Sequence, residues 1–81
     1  MANAQTTKVT GTVISAEDNE PIIGASIVVK GTTIGTVTDF NGAFSLDVPS
    51  SAKTLVVSFV GMKAQEIWVK PKVNVVSEGD N

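Results

Sequence analysis

Residues 31–46 have the sequence GTTIGTVTDFNGAFSL. Two short runs of alternating apolar residues, 34–37 and 43–48, lie on either side of the tetrapeptide DFNG at 39–42. Asp, Asn and Gly tolerate positive φ angles and hydrogen-bond to their own backbone, so this tetrapeptide predicts a tight reversal of the chain. Two alternating runs joined by a short polar turn indicate a β-hairpin.

Similar runs occur on both sides of this stretch and predict about seven strands. They are residues 8–14, 25–30, 34–37, 43–48, 53–60, 65–70 and 72–76, separated by polar or Gly- and Pro-containing turns. No segment has a helical period, so the sequence predicts an all-β fold, an antiparallel sandwich or small barrel of about seven strands.

The alternation also predicts which side chains form the core. From residue 37 onward, these are Val37, Phe44, Leu46, Val48, Leu55, Val57 and Phe59. The run 53–60 is the most apolar of the seven. We expect it in the centre of a sheet, because an apolar strand at an edge promotes self-association.

Composition excludes several classes of function. The chain has 81 residues, 42% of them apolar, which suits one small domain with a packed core. Its net charge of −2, with six lysines and no arginine, provides no basic stripe for nucleic acid. Its longest apolar runs are too short to cross a bilayer as a helix. Because Cys and His are both absent, a Ser-His triad, a Cys-His dyad and the common zinc sites cannot form.

Two segments resemble ligand loops but lack required residues. The tetrapeptide 39–42 resembles the start of a calcium loop, yet Ala43 and Phe44 stand where further ligand oxygens are needed. The glycine-rich segment 31–36 lacks the lysine and the following helix of a phosphate-binding loop. A turn and a pair of strand-end bends explain both segments better.

The densest group of carboxylates is Glu17, Asp18 and Glu20. Paired carboxylates can hydrolyse glycosidic bonds when a cleft holds them about 5–9 Å apart. Three carboxylates on one loop are better explained as a solvated turn. We therefore predict no catalytic, metal-binding or cofactor-binding residues.

Trp68 and Phe40 are the candidate contact residues. Trp68 falls on the outward register of its strand, between Glu66 and Lys70. An exposed tryptophan can stack on a sugar or anchor a protein partner. Alternatively, a neighbouring loop or tail covers this face. Phe40, at the predicted turn, raises the same alternatives more weakly.

The residues at the start of the chain suggest export. Ala2-Asn3-Ala4 matches the small-residue pattern that ends a secretory signal peptide, with Gln5 as the first mature residue and Met1 as an added start. The charged and apolar parts of a signal peptide are absent, and an ordinary small-residue tail explains the same residues.

The ordered motifs of the chain resemble a known domain family. They are VTGTV at 9–13, EPIIGASI at 20–27, KGT at 30–32, GTVTD at 35–39, GAFSL at 42–46 and the run 55–61. Together they are similar to the carboxypeptidase-regulatory-like domain, in the form found as the N-terminal extension of SusC-like TonB-dependent outer-membrane transporters. The similarity extends from Val9 to Val76.

This resemblance implies a transthyretin-like, Greek-key β-sandwich on the periplasmic side of the outer membrane of a Gram-negative bacterium. In full-length relatives, a TonB-interacting box, a plug and a barrel that imports glycans or other nutrients follow the domain. The implied partners are this remainder of the parent receptor and the TonB energy-transducing system. No cofactor, nucleic-acid partner or membrane insertion of the domain itself is implied, and the isolated domain is expected to be a monomer.

On this resemblance we divide the chain into a disordered tail (residues 1–7), the sandwich (8–76) and a flexible end (77–81) of a domain cut from a longer protein. The signal-peptide interpretation of residues 2–4 is then favoured. Peptidase activity does not follow from the family, because the zinc ligands of metallo-carboxypeptidases are missing.

Three functions can be compared. The first is a non-catalytic periplasmic accessory domain of a glycan or nutrient importer, acting by protein contact or by modulating transport coupling. The alternative is a carbohydrate-binding module that uses the exposed aromatic residues Trp68 or Phe40. An enzyme is least favoured, because no spacing of carboxylates predicts a pair with perturbed pKa values in a cleft.

Overall fold

The computed structural model describes residues 5–79, which contain seven β-strands and no helix. The strands are β1 (Thr6–Ser15), β2 (Ser26–Val29), β3 (Gly35–Val37), β4 (Ala43–Pro49), β5 (Thr54–Ser58), β6 (Gln65–Trp68) and β7 (Lys72–Ser77). Each lies on a predicted run, so the all-β prediction is confirmed. Nowhere in the described range does a helix exist that could cross a membrane.

The strand ends differ somewhat from the predicted boundaries. β1 begins at Thr6 and β7 ends at Ser77, so the sheets extend past the predicted 8–76 at both ends. Gly79 also forms an isolated bridge with Met62. The predicted signal-peptide remnant at residues 2–4 and the last two residues lie outside the described part of the chain.

The strands form two sheets, in the orders β4-β1-β7 and β3-β2-β5-β6. Four of the five neighbouring pairs are antiparallel, as predicted for a sandwich, but β1 and β7 are parallel, with Ser15 opposite Ser77. A parallel pair needs a long connection between its strands, and here the whole intervening chain provides it. The apolar strand β5 lies between β2 and β6, so the prediction of a central strand is confirmed.

The predicted hairpin at 31–46 is wrong, because β3 and β4 belong to different sheets. β3 pairs with β2, and β4 pairs with β1. Backbone hydrogen bonds fix this separation: the Thr38 N–H donates to the Ala25 oxygen at 2.9 Å, and the Val13 N–H donates to the Gly42 oxygen at 2.8 Å. The chain therefore crosses from one sheet to the other between Thr38 and Gly42.

The reversal itself is confirmed. Asp39 Oδ1 accepts hydrogen bonds from the N–H groups of Asn41 and Ala43, both at 2.9 Å. The Gly42 N–H donates to the Asp39 backbone oxygen at the same distance. Gly42 has a φ of 72°, which a residue with a Cβ rarely adopts. The tetrapeptide is thus a turn that connects the two sheets. One carboxylate oxygen of Asp39 stabilises it by accepting hydrogen bonds from the backbone of the turn.

The core lies between the two sheets. Its buried apolar residues are Val9, Val13, Ile22, Ala25, Ile27, Val29, Phe44, Leu46, Val48, Leu55, Val57, Val73 and Val75. The prediction of the core is wrong for two residues. Val37 is 60% exposed because it lies opposite Ser26, on the outer face of its sheet, and Phe59 is 36% exposed because β5 ends one residue before it.

The sandwich has two ends. The amino end holds the start of β1, the β2–β3 loop and the connections β4–β5 and β6–β7. The carboxyl end holds the loops 16–25, 38–42 and 59–64 and the residues that follow β7. Because β1 and β7 are parallel, the chain comes in at the amino end and leaves at the carboxyl end. Ten residues of β1 separate the two ends by about 30 Å.

Candidate interaction surfaces

The titratable side chains of residues 5–79 are spread over the surface and form no metal-binding cluster. Within residues 5–79, no three His, Cys, Asp or Glu side chains are placed to hold a metal ion. The acidic loop at Glu17, Asp18 and Glu20 has a local role, since Asp18 Oδ1 accepts a hydrogen bond from the Glu20 N–H at 3.1 Å. This geometry is that of an Asx turn. The acidic loop is thus an exposed turn, as the sequence predicts.

A buried threonine joins two loops at the carboxyl end. The Thr38 hydroxyl donates to the Ile22 backbone oxygen at 2.6 Å and accepts the Ala25 N–H at 2.9 Å. The Thr38 backbone oxygen also accepts the Gly24 N–H at 3.0 Å. Loops 16–25 and 38–42 are therefore held in a fixed relation. The sequence did not single out this residue, because a threonine in a strand usually faces solvent or fills a gap.

Five exposed apolar side chains lie at the carboxyl end. We call them the carboxyl-end patch, and they are Ile23, Val37, Phe40, Phe59 and Val60. Phe40 is 75% exposed and Val60 is 91% exposed. Of the three other exposed large apolar side chains of the described region, Ile34 and Trp68 lie toward the amino end, and Val76 lies on β7 near the carboxyl end. Most of the exposed apolar surface is thus concentrated at one end.

Backbone pairing brings the members of this patch to the same end. Ser26 lies opposite both Val37 and Ser58, which precedes Phe59 in the chain. The Gly24–Thr38 hydrogen bond places the residues around Ile23 beside those leading to Phe40. Three loops that are distant in sequence therefore present their apolar residues together. Exposed apolar groups of this kind mark interaction sites more often than a single exposed residue does.

Charges are divided between the two ends. Five of the six lysines lie toward the amino end: Lys8, Lys30, Lys53, Lys70 and Lys72. Acidic side chains gather at the carboxyl end within the described range: Glu17, Asp18, Glu20, Asp39 and Glu78. Lys63 is the one lysine at that end. The end that carries the apolar patch is thus acidic, although the chain as a whole is only slightly negative.

Trp68 lies toward the amino end, on the outer face of the larger sheet. It is 69% exposed and lies opposite Thr54 of β5. Beside it, Lys30 Nζ and Glu66 Oε1 form an ion pair at 2.9 Å, with both side chains more than half exposed. A shallow groove between β6 and β7 adjoins the indole and is also lined by Lys72 and Asn74.

The structure does not bring the two predicted contact residues together. Trp68 has the outward orientation that alternation predicts, but it lies in the lysine-rich half of the molecule. Phe40 lies at the opposite end, at the turn where it was expected. Whether either residue binds a partner stays a prediction. Ile23 and Val60 were not predicted as contact residues, although the apolar segment 59–60 just before Gly61 indicates an exposed loop tip.

Comparison with known proteins identifies the domain family of this chain and several relatives. The CarboxypepD_reg-like domain model matches residues 9–79. "TonB-dependent receptor SusC" of Bacteroides thetaiotaomicron is 44% identical over 68 residues, which cover 84% of this chain and 7% of the receptor. "TonB-dependent receptor P3" of Formosa agariphila is 42% identical over 72 residues, which cover 89% of this chain and 7% of that receptor.

A solved structure shares the architecture at lower similarity. A chain in the crystal structure of a C-terminal interface mutant of the type II cohesin–X–dockerin complex from Acetivibrio cellulolyticus superposes with a TM-score of 0.56 at 23% identity. The match covers 86% of this chain and 51% of that chain. At this identity, the likeness concerns the fold alone.

The β-sandwich fold, the family match and these relatives define the class of this chain, a receptor domain. The chain belongs to the CarboxypepD_reg-like domain family, in the form that occurs as an N-terminal domain of SusC-like TonB-dependent receptors. The resemblance seen in the sequence is thereby confirmed. The chain spans about 7% of the length of the curated receptors that it matches.

Proposed function

We propose that this chain is a non-catalytic accessory domain on the periplasmic side of a SusC-like importer of glycans or other nutrients. It acts by protein contact with the remainder of its receptor and so modulates the coupling of transport to the TonB system. The observation that supports this most is the gathering of exposed apolar side chains at the carboxyl end of the sandwich. The receptor context of the relatives supports the location.

Deleting residues 8–79 from a receptor that carries this domain should reduce nutrient uptake without removing the receptor from the outer membrane. Uptake of labelled substrate and the amount of receptor in outer-membrane fractions are measured together. The reason is that an accessory contact tunes the transport cycle but does not build the transport path. Unchanged uptake on every substrate, at equal receptor amounts, would contradict the proposal.

One observation favours a second function, the binding of carbohydrate at Trp68. Its indole is exposed beside a groove with polar groups at Glu66, Lys72 and Asn74, and sugar rings stack on such indoles. Trp68 is the only tryptophan, so its fluorescence reports on this site alone. Titration with a panel of glycans should shift the emission if this function is correct, and a Trp68→Ala variant should lose binding in calorimetry. If no glycan of the panel shifts the Trp68 emission, the carbohydrate-binding function is rejected.

We also propose that the isolated domain is a monomer. Its most apolar strand, β5, is paired on both sides by β2 and β6. The edge strands of the larger sheet, β3 and β6, are only three and four residues long. Short edge strands limit edge-to-edge pairing between molecules. Those of the smaller sheet, β4 and β7, have seven and six residues and carry exposed charges at Asp47 and Lys72, which also disfavour edge pairing.

A further inference from the structure

We infer that the carboxyl-end patch packs against the body of the receptor, the part of the chain that follows this domain. This inference rests on the proposed function and names the surface that would carry it. The partner surface is apolar and is bordered by lysine or arginine side chains. Two independent observations support this occupant: the path of the chain and the distribution of charge.

The path of the chain brings the patch close to whatever follows. β7 runs toward the carboxyl end, where Gly79 bridges Met62 and the Lys63 N–H donates to the Glu78 oxygen at 2.9 Å. Phe59 and Val60 are in the same β5–β6 loop as these partners. In a receptor with this domain at its N-terminus, the remaining chain continues from this point. The connection therefore holds the receptor body nearer to the patch than to the amino end, about 30 Å away, and raises its effective concentration most at the patch.

The chemistry of the patch specifies the kind of surface that fits it. Phe40 and Val60 project from loop tips and offer the apolar side chains that occupy the centre of protein interfaces. The acidic side chains around them favour a positively charged border on the partner, which steers and orients the contact. A second copy of this domain fits less well, because two carboxyl ends would place acidic side chains against each other.

The Thr38 hydroxyl makes this surface preformed. It bonds to both Ile22 and Ala25, so the loop carrying Ile23 and the loop carrying Phe40 do not have to be ordered when the partner binds. A preformed surface avoids the entropic cost of ordering loops on association.

Photo-crosslinking in the full-length receptor tests the inference. A photoreactive amino acid is placed at Val60 in one receptor and at Thr33, an exposed residue at the amino end, in another. After irradiation, mass spectrometry identifies the linked peptides. We expect Val60 to link to residues of the same receptor that follow the domain, with a yield several-fold above that from Thr33. Equal yields, or links from Val60 to other proteins or to second copies only, overturn the inference.

A charge-substitution variant makes the test quantitative. Phe40→Glu with Val60→Glu places carboxylates on the patch, and Thr33→Glu with Ser51→Glu is the matched control at the amino end. All four residues are exposed, so the isolated variants should unfold at nearly the wild-type temperature. With the photoreactive group at Ile23, the patch variant should lower the crosslinking yield about tenfold or more, as expected for loss of central interface residues, and the control should not. Equal yields in the patch variant and the control overturn the inference.

The crosslinking result and the uptake result of the deletion experiment test different claims and can fail separately. Crosslinks from Val60 without an effect of deletion on uptake would show that the domain docks but does not modulate transport. Loss of uptake without such crosslinks would keep the accessory function and reject this surface.

Discussion

Replacing Gly11 with alanine should lower the midpoint of thermal unfolding by about 12–24 °C, which corresponds to about 3 kcal/mol for a domain of this size. Gly11 lies in the middle of β1, between Phe44 of β4 and Val73 of β7. A Cβ at this position would overlap the Val73 carbonyl oxygen and would come within 2.9 Å of the Phe44 ring. The obstacle is the backbone of a neighbouring strand, so side-chain rotation cannot relieve it.

The overlap can be relieved only if the strands of the sheet move apart. β1 is the central strand of β4-β1-β7, so moving it away from β7 weakens hydrogen bonds along the parallel ladder. Gly79→Ala is the matched control, because a Cβ there meets no atom within 4 Å. Circular dichroism during heating and urea titration measures both variants. A Gly11→Ala variant as stable as the Gly79→Ala variant would contradict the close approach of β1 to its neighbours.

Replacing Thr38 with valine should lower the free energy of unfolding by about 2–4 kcal/mol. Valine keeps the shape of the side chain but removes the hydroxyl, so the Ala25 N–H and the Ile22 oxygen lose their partner. Each unsatisfied buried polar group costs about 1–3 kcal/mol. For a domain of 81 residues, whose total stability is about 4–12 kcal/mol, this is a large fraction.

Thr38→Ser separates the hydroxyl from the methyl group. Serine keeps both hydrogen bonds and removes one buried methyl, so it should cost only about 1 kcal/mol. The expected order of urea midpoints is wild type, then serine, then valine. Amide exchange at Ala25 should also accelerate in the valine variant and not in the serine variant. A valine variant more stable than serine would show that the hydroxyl contributes less than the methyl.

Much of the fold could be predicted from local sequence, because strands of this domain alternate clearly and end at turn residues. Leu55 and Val57 on one face of β5 are an example, and their burial follows directly from the pattern. The motifs of the family added the sandwich architecture. The turn at Asp39 was also recognisable, since its side chain bonds to the backbone only two and four residues further on.

The partners of the strands were not predictable in the same way. A turn such as 39–42 reverses the chain but does not determine whether the flanking strands pair with each other. Here the backbone ladder between β2 and β3, together with the bonds of Thr38 to residues 22 and 25, holds β3 with β2. This register also turns Val37 outward and Thr38 inward, which reverses the assignment that hydrophobicity alone favours. The pattern of apolar residues gives no information about a hydroxyl that bonds to two backbone groups far away in the sequence.

The contact surface depends on the same long-range pairing. Ile23, Phe40 and Val60 are separated by about 17–20 residues along the chain, and only the strand order places their loops at one end. Trp68 could be identified from its position in one strand. The carboxyl-end patch could not, because its definition requires knowing which end of the sandwich each loop occupies.

The parallel pairing of β1 and β7 has a mechanical consequence. Six residue pairs join the two strands, from Thr10 opposite Lys72 to Ser15 opposite Ser77. Tension between the two ends of the domain pulls β1 toward the amino end and β7 toward the carboxyl end. The hydrogen bonds of the ladder are then loaded in shear, all at the same time, and cannot open one after another as in an unzipping hairpin.

Forced unfolding is controlled by the height of the unfolding barrier, and shear loading requires several bonds to break together before the strands can slide. The core side chains Val13, Val73 and Val75 also have to leave their positions in the same step. The domain is therefore a load-resistant link along its strands, and it can pass tension from one end to the other while it remains folded.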